Sequence, residues 1–149
     1  MKELLEKMNK ESDDSPEGRK FGSCVIILRG NQFLALERSS KALFGPDKWG
    51  FPGGGSDPGE SPEETAARET LEETGLVVNE LVFLTMKVGN KGKFVYFFVC
   101  DDFSGEVDME KVKEEHKDYA WVEPHEMKNY DFVDKVEDLV GKLVNGKVL

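Results

Sequence analysis

The hydrophobic and polar positions along the chain predict a series of strands separated by turns, with helices between them. Runs rich in β-branched and aromatic residues predict strands at residues 21–28, 33–37, 77–88, 94–100 and 119–122. A stripe at helical spacing near the end of the chain consists of Val133, Val136, Leu139, Val140, Leu143 and Val144. Such a stripe is much more often a core-packing face than a partner site.

The segments between these elements carry turn signals. Turns or loops are predicted at residues 30–31, 39–48, 89–92 and 101–118, the last with at most one helical turn, and Pro124 is expected to open another. Residues 1–20 combine a short amphipathic stretch with a polar segment, and they are predicted to extend a single domain of residues 21–149. Strands before, between and after two helices predict an α/β or α+β sandwich with a mixed sheet.

One helix is marked at both of its ends. Ser61 can cap it, Pro62 occupies the first turn, and Glu64 completes a Ser-x-x-Glu capping box. Gly75 is suited to a left-handed C-cap. These signals predict a helix over residues 62–74, directly after three consecutive glycines at 53–55.

The two sides of this helix differ in chemistry. The side predicted to pack on the sheet carries Ala66, Ala67, Thr70, Leu71 and Thr74. Glu69, Glu72 and Glu73 share the opposite flank, where like charges destabilise a helix unless they are compensated. Arg68 is the only basic residue between positions 53 and 76.

A divalent cation would resolve this repulsion. Mg²⁺ prefers carboxylate, water and phosphate oxygens, and the glycines would let a backbone carbonyl approach as a further ligand. Glutamates alone are equally compatible with a solvated acidic face. An EF-hand is disfavoured because residues 57–60 lack alternating oxygen ligands, and a di-iron site because the helix has no Glu-x-x-His pair.

The whole segment resembles the signature of the Nudix hydrolase family, G-x5-E-x7-R-E-U-x-E-E-x-G-U, where U is a bulky aliphatic residue. The matching positions are Gly54, Glu60, Arg68, Glu69, Glu72, Glu73, Gly75 and Leu76. The ninth specified position departs from the pattern, because Thr70 stands where an aliphatic residue is usual. The preceding residues 49–53 are also similar to the approach to this motif in MutT-like members.

The resemblance implies the α/β/α sandwich of this family and hydrolysis of a nucleoside diphosphate linked to a group X. Glu72 and Glu73 would be metal ligands, and Glu69 a ligand or the general base. Arg68 would hold the glutamates in place. The Gly53 carbonyl would be a further ligand of Mg²⁺, with Mn²⁺ as the alternative metal, while Glu60 would have a supporting role.

Other residues join the candidate site with less support from the sequence. Some family members draw a further carboxylate from a distant loop, for which Glu114 and Glu115 are candidates and Glu115 the choice. Gly53 and Gly54 would lie against the substrate. Trp49 and Phe44 could stack on a base, although core packing is the commoner use of a tryptophan. For His116 and His125, surface or structural roles are favoured.

Charge limits the choice of partner. The formal net charge of −10 disfavours binding to long nucleic acid, which requires clustered Lys and Arg. A small nucleotide is expected, most simply a (deoxy)nucleoside triphosphate. ADP-ribose, a nucleotide sugar and a dinucleoside polyphosphate stay open, as does a non-catalytic nucleotide-binding or scaffolding role. The intact carboxylates favour catalysis over that last alternative.

Compartment and assembly follow from weaker signals. No apolar run is long enough to span a membrane, and the first residues lack a secretory signal core. Cys24 and Cys100 both fall in apolar strands, which favours free thiols in a reducing compartment. The cytoplasm is the expected location, and a homodimer is possible.

Overall fold

The computed structural model describes residues 20–144 of the chain. The strands are β1 (Gly22–Arg29), β2 (Gln32–Arg38), β3 (Trp49–Gly50), β4 (Gly53–Gly55), β5 (Val77–Val88), β6 (Phe94–Ser104) and β7 (His116–Val122). The helices are α1 (Pro62–Thr74), α2 (Met109–Glu115) and α3 (Val136–Val144), with short 3₁₀ segments at Asn90–Gly92 and Pro124–Asn129. No helix in the described range is long and apolar enough to cross a membrane. The predicted extension, residues 1–20, lies almost entirely outside that range.

The strands form one mixed sheet in the order β3-β2-β1-β6-β5, with β4 also paired to β1 and β7 to β2. The central pair, β1 and β6, is parallel, and the other pairs are antiparallel. Successive residues of β1 point to opposite faces, so Val25 and Ile27 join one core and Ile26 the other. Helices α1 and α2 cover the first core and α3 the second. The predicted sandwich with a mixed sheet is confirmed.

Helix α1 has the predicted bounds and caps. The Ser61 hydroxyl accepts a hydrogen bond from the Glu64 N–H, the Glu64 carboxylate accepts one from the Ser61 N–H, and Gly75 is left-handed with φ 83°. The predicted packing face was partly wrong. Leu71 is 44% exposed, whereas Glu73 is buried along with the small residues. Thr70 is fully buried, and its hydroxyl has no hydrogen-bond partner among the described residues.

Four elements, β4, β6, α2 and β7, differ from the sequence-based prediction. The glycines at 53–55 form strand β4 beside β1. The sequence did not predict this strand, because glycine has a low strand propensity. Strand β6 continues to Ser104, and α2 then occupies two turns of the segment predicted to be mainly loop. Strand β7 begins at His116 rather than Tyr119 because it pairs with β2 as far as Arg38.

Candidate active site

A cavity of about 720 Å³ opens where β4, the end of β2 and the start of β7 meet. Its lining includes Cys24, Arg38, Phe44, Phe51, Gly53, Gly54, Gly55, Glu73, Lys91, Lys93, Glu115 and His116. The volume suits a small organic ligand. Both carboxylates and cationic side chains are among these residues.

Glu73 is the buried carboxylate of this cavity. Its residue is 5% exposed, and one carboxylate oxygen accepts a hydrogen bond of 2.8 Å from the Gly53 N–H. Burial raises the pKa of Glu73 well above its usual value, and the nearby charges of Glu69 and Glu115 raise it further. The Gly53 hydrogen bond opposes this shift. A cation in the cavity would relieve the cost of keeping this carboxylate ionised.

Glu69 lies one turn earlier on α1, against the backbone of β4. A Cβ atom at Gly54 would stand 2.5 Å from the Glu69 carboxyl carbon, so only glycine leaves room for this carboxylate. Burial raises the pKa of Glu69, whereas the hydrogen bond from Arg68 lowers it. The glycine strand and the glutamates of α1 therefore form a single packed unit.

Arg68 connects the parts of this unit through its guanidinium. Its guanidinium donates to both oxygens of Glu60, at 2.7 and 3.0 Å, and to the Gly55 carbonyl at 2.9 Å. It also donates to Glu69 at 2.9 Å and to Glu72 at 3.2 Å. A planar guanidinium can bridge several carboxylates in this way. The structure supports the role expected of Arg68 as the residue that positions the glutamates.

The Arg68–Glu60 ion pair leads to a prediction about how the stability of the fold depends on pH. Hydrogen bonds from Arg68 lower the pKa of Glu60 from 4.5 to about 2. Because this pKa is depressed in the folded protein, the stabilisation is present above pH 4.5 and is lost as the pH falls towards 2. Glu60→Gln is expected to lower the free energy of unfolding by about 1 to 2 kcal/mol at pH 7.

Urea unfolding of both proteins at pH 7, 4 and 3 tests this expectation. The difference between wild type and Glu60→Gln should narrow as the pH is lowered. A difference that stays constant from pH 7 to pH 3 would contradict the assigned ion pair.

The side chains of two other predicted metal ligands, Glu72 and Glu115, are more exposed to solvent than Glu73. The Glu72 side chain is 56% exposed and contacts Arg68, and Glu115 is an exposed residue at the edge of the cavity. Within residues 20–144, no three His, Cys, Asp or Glu side chains converge into a complete ligand set. The donor chemistry nevertheless fits a hard cation, because Glu73, Glu69 and Glu115 offer only oxygen and repel one another.

Sequence reasoning missed the cationic side chains of the cavity. Arg38 comes from the end of β2, and Lys91 and Lys93 come from the turn between β5 and β6. The Lys93 amino group would lie 3.8 Å from a Cβ atom at Gly55, so it lies close to the glycine strand. Two lysines flanking a glycine in this turn were the available signal, but only the fold brings them into the same cavity as Glu73.

The predicted substrate-contacting residues separate into two groups. Gly53, Gly54 and Phe44 line the cavity, whereas Trp49 is absent from its lining and packs edge-to-face on Tyr130 at 5.0 Å. His116 lines the cavity, although the sequence favoured a surface or structural role. Its Nδ1 atom is buried without a hydrogen-bond partner among the described residues, and burial lowers the pKa of His116 to about 4.

The two thiols are free, as expected. Cys24 lines the cavity, and burial together with the charge of Glu73 raises the pKa of its thiol to about 12. Such a thiol is a poor nucleophile at neutral pH. Cys24 therefore contributes surface to the cavity rather than chemistry.

Comparisons with known proteins agree with this geometry. The family model described as NUDIX domain matches residues 18–140. A nucleoside triphosphatase NudI from Escherichia coli O81 (strain ED1a) is 30% identical over 120 residues, which cover 72% of this chain and 84% of the relative.

Solved structures show the same fold. A MutT structure, from work on the proteins of Aliivibrio salmonicida and Vibrio cholerae, has a TM-score of 0.72 at 22% identity. The match covers 85% of this chain and 98% of that one. An Ap4A hydrolase from C. elegans has a TM-score of 0.66 at 24% identity, covering 85% and 97%. The family match spans most of the chain and agrees with the motif on α1, so this protein belongs to the Nudix family and is an enzyme of the Nudix hydrolase type.

Proposed function

We propose that this enzyme hydrolyses a (deoxy)nucleoside triphosphate to a nucleoside monophosphate and pyrophosphate, with Mg²⁺ as its cofactor. The observation that carries the proposal is that one cavity is lined by both carboxylates and cationic side chains. Glu73 and Glu115 line it together with Arg38, Lys91 and Lys93. A polyphosphate chain with bound cations matches both sets of side chains, because its oxygens would meet the cationic groups while the cations would meet the carboxylates.

We assign roles to the carboxylates from their surroundings. Glu73, held by the Gly53 N–H, would be the most confined metal ligand, and Glu72, with a side chain that is 56% exposed, the least confined one. Glu69 would be a further ligand or the base that takes a proton from water. When bound, Mg²⁺ would neutralise phosphate charge and lower the pKa of the attacking water. Arg68 is a positioning residue, because its guanidinium contacts the glutamates and not the cavity.

The bond changes are those of a simple hydrolysis. A water oxygen bonds to one phosphorus while the bond from that phosphorus to the bridging oxygen breaks. The bridging oxygen leaves with the fragment that is not attacked, which is pyrophosphate after attack on the α-phosphorus and nucleoside monophosphate after attack on the β-phosphorus, and the water proton passes to the base. Arg38, Lys91 and Lys93 would balance the charge that the leaving group gains.

The triphosphate is preferred over the other nucleotides because the NudI relative is a nucleoside triphosphatase. The three cationic side chains in the cavity lining also suit a substrate with more than two phosphates. A dinucleoside polyphosphate is the second candidate, since the C. elegans structure of the same fold is an Ap4A hydrolase.

A product assay tests the proposal. The protein is incubated with nucleoside triphosphates, ADP-ribose, nucleotide sugars and dinucleoside polyphosphates, with Mg²⁺, with Mn²⁺ or with EDTA. We expect nucleoside monophosphate and pyrophosphate from a triphosphate, and loss of activity by at least a hundredfold in EDTA. Activity that persists in EDTA would refute the metal requirement. Turnover of another class only would reassign the substrate.

A further inference from the structure

The loop between β2 and β3, residues 39–48, forms one rim of the cavity. Two of its large apolar side chains are exposed, Leu43 at 92% and Phe44 at 61%. Phe44 lines the cavity although most of its surface faces solvent. Exposed aromatic surface at the mouth of a nucleotide cavity is suited to stacking on a base, provided that the loop is held in place.

The backbone of this loop is tied to strand β2. The Arg38 guanidinium donates to the Phe44 carbonyl at 2.9 Å, and the Arg38 N–H donates to the Lys48 carbonyl at 2.8 Å. Within the loop, the Lys48 N–H donates to the Gly45 carbonyl and the Ala42 N–H to the Ser39 carbonyl, both at 3.1 Å. Two of these bonds join the loop to β2 and two lie within the loop, so none of the four reaches another strand.

One side chain connects the loop to a different strand. Asp47 adopts a left-handed conformation with φ 64°, and its carboxylate accepts a hydrogen bond of 2.6 Å from the Ser40 hydroxyl at the other end of the loop. The same oxygen is bonded to the Lys117 amino group of β7. Lys117 also lies 3.7 Å from Glu37 of β2.

Lys117 lies close in sequence to two residues of the cavity lining. It stands two residues after Glu115 and next to His116, both of which line the cavity. The ion pair therefore joins loop 39–48, which carries Phe44, to strand β7, which begins directly after Glu115. Arg38 and His116 are partners in the β2–β7 ladder, so the same two strands supply the neighbouring cavity wall.

We propose that the Asp47–Lys117 ion pair is a positioning device that holds loop 39–48 so that Phe44 forms a wall for the base of the bound nucleotide. Neither residue of the pair lines the cavity, so both act through Phe44. The inference rests on the proposed function for the identity of the ligand. The connection between the loop and β7 does not depend on that identity.

The expected effect is modest, because both side chains are partly exposed. Lys117 is 41% and Asp47 55% exposed, so solvent and salt screen their attraction. A loosened loop would weaken substrate binding equally in the ground state and in the transition state. Lys117→Ala should therefore raise KM for the best substrate about two- to fivefold and leave kcat within twofold of the wild-type value.

Steady-state kinetics of four variants test the proposal. Lys117→Arg keeps the cation and should retain the wild-type KM, whereas Lys117→Glu should raise KM further than Lys117→Ala. The matched control is Lys142→Ala, which breaks an exposed pair with Asp138 on α3, outside the cavity lining. An unchanged KM in both Lys117→Ala and Lys117→Glu would overturn the proposal, as would an equal rise in the control.

Hydrogen exchange in the protein without nucleotide separates this inference from the proposed function. The amides of Ala42 and Lys48 are bonded within the loop, so Lys117→Ala should speed their exchange while the amides of α1 keep the wild-type rate. Faster loop exchange in Lys117→Ala, combined with no detectable hydrolysis by the wild type, would support the role of the ion pair in holding the loop. The same result would refute the proposed substrate. Unchanged loop exchange would show that the pair does not hold the loop.

Discussion

Glu73→Gln is expected to reduce kcat by about two to three orders of magnitude while the protein stays folded. Glutamine has nearly the same shape and keeps an oxygen that can accept the hydrogen bond from the Gly53 N–H. It removes the charge that a divalent cation requires from the most buried carboxylate of the cavity. Turnover at saturating Mg²⁺ measures the loss of activity, and circular dichroism verifies the fold.

The stability of this variant should not fall with its activity. The raised pKa of Glu73 means that its ionised form is costly in the folded protein, so a neutral side chain should not lower the melting temperature in EDTA. Glu63→Gln is the control, since Glu63 is on the first turn of the same helix and outside the cavity lining. Retention of more than a tenth of the wild-type kcat in Glu73→Gln would refute the assignment of this residue.

Gly53→Ala is expected to destabilise the fold by about 3 kcal/mol. A Cβ atom at this position would lie 2.3 Å from the Ser23 carbonyl oxygen and 2.7 Å from the Cys24 Cα atom, both of them backbone atoms of β1. Backbone within a sheet cannot move aside as a flexible side chain can, so β4 would separate from β1. The midpoint of urea unfolding measures this loss.

Neighbouring glycines provide the contrast for this prediction. A Cβ atom at Gly55 would meet only the end of the Lys93 side chain, at 3.8 Å, so Gly55→Ala should lie within about 0.5 kcal/mol of wild type. A loss in Gly55→Ala as large as that in Gly53→Ala would show that chain flexibility, and not the close contact with β1, explains the effect. A stable Gly53→Ala protein would contradict the described packing of β4.

The limits of helix α1 were predictable because they depend on near neighbours in the chain. Ser61, Pro62 and Glu64 act on one another within a single turn, and Gly75 supplies the left-handed residue that ends the helix. The signature of the family lies in the same short segment, so the family was also predictable, and its match over residues 18–140 confirms it. The sandwich followed from the alternation of strands and helices.

Which face of α1 is buried depends on the rest of the fold. Helical spacing alone placed Leu71 inside and Glu73 with the exposed glutamates, but the sheet leaves Leu71 partly in solvent and encloses Glu73. The enclosing element is β4, whose glycines contact both Glu73 and Glu69. Three glycines carry no hydrophobic pattern, so their pairing with β1 could not be derived from propensity.

The cationic side chains of the cavity show the same division between local and distant information. Lys91 and Lys93 lie more than fifteen positions after Glu73 in the chain, and Arg38 precedes the motif. Phe44 likewise comes to the cavity from loop 39–48 and Glu115 from the end of α2, both distant in sequence. Local signals determined the carboxylates and the helix that carries them, because capping and spacing act within a few residues. The tertiary structure decided which charges share the cavity with them, because only the pairing of β1, β2, β6 and β7 brings those segments together.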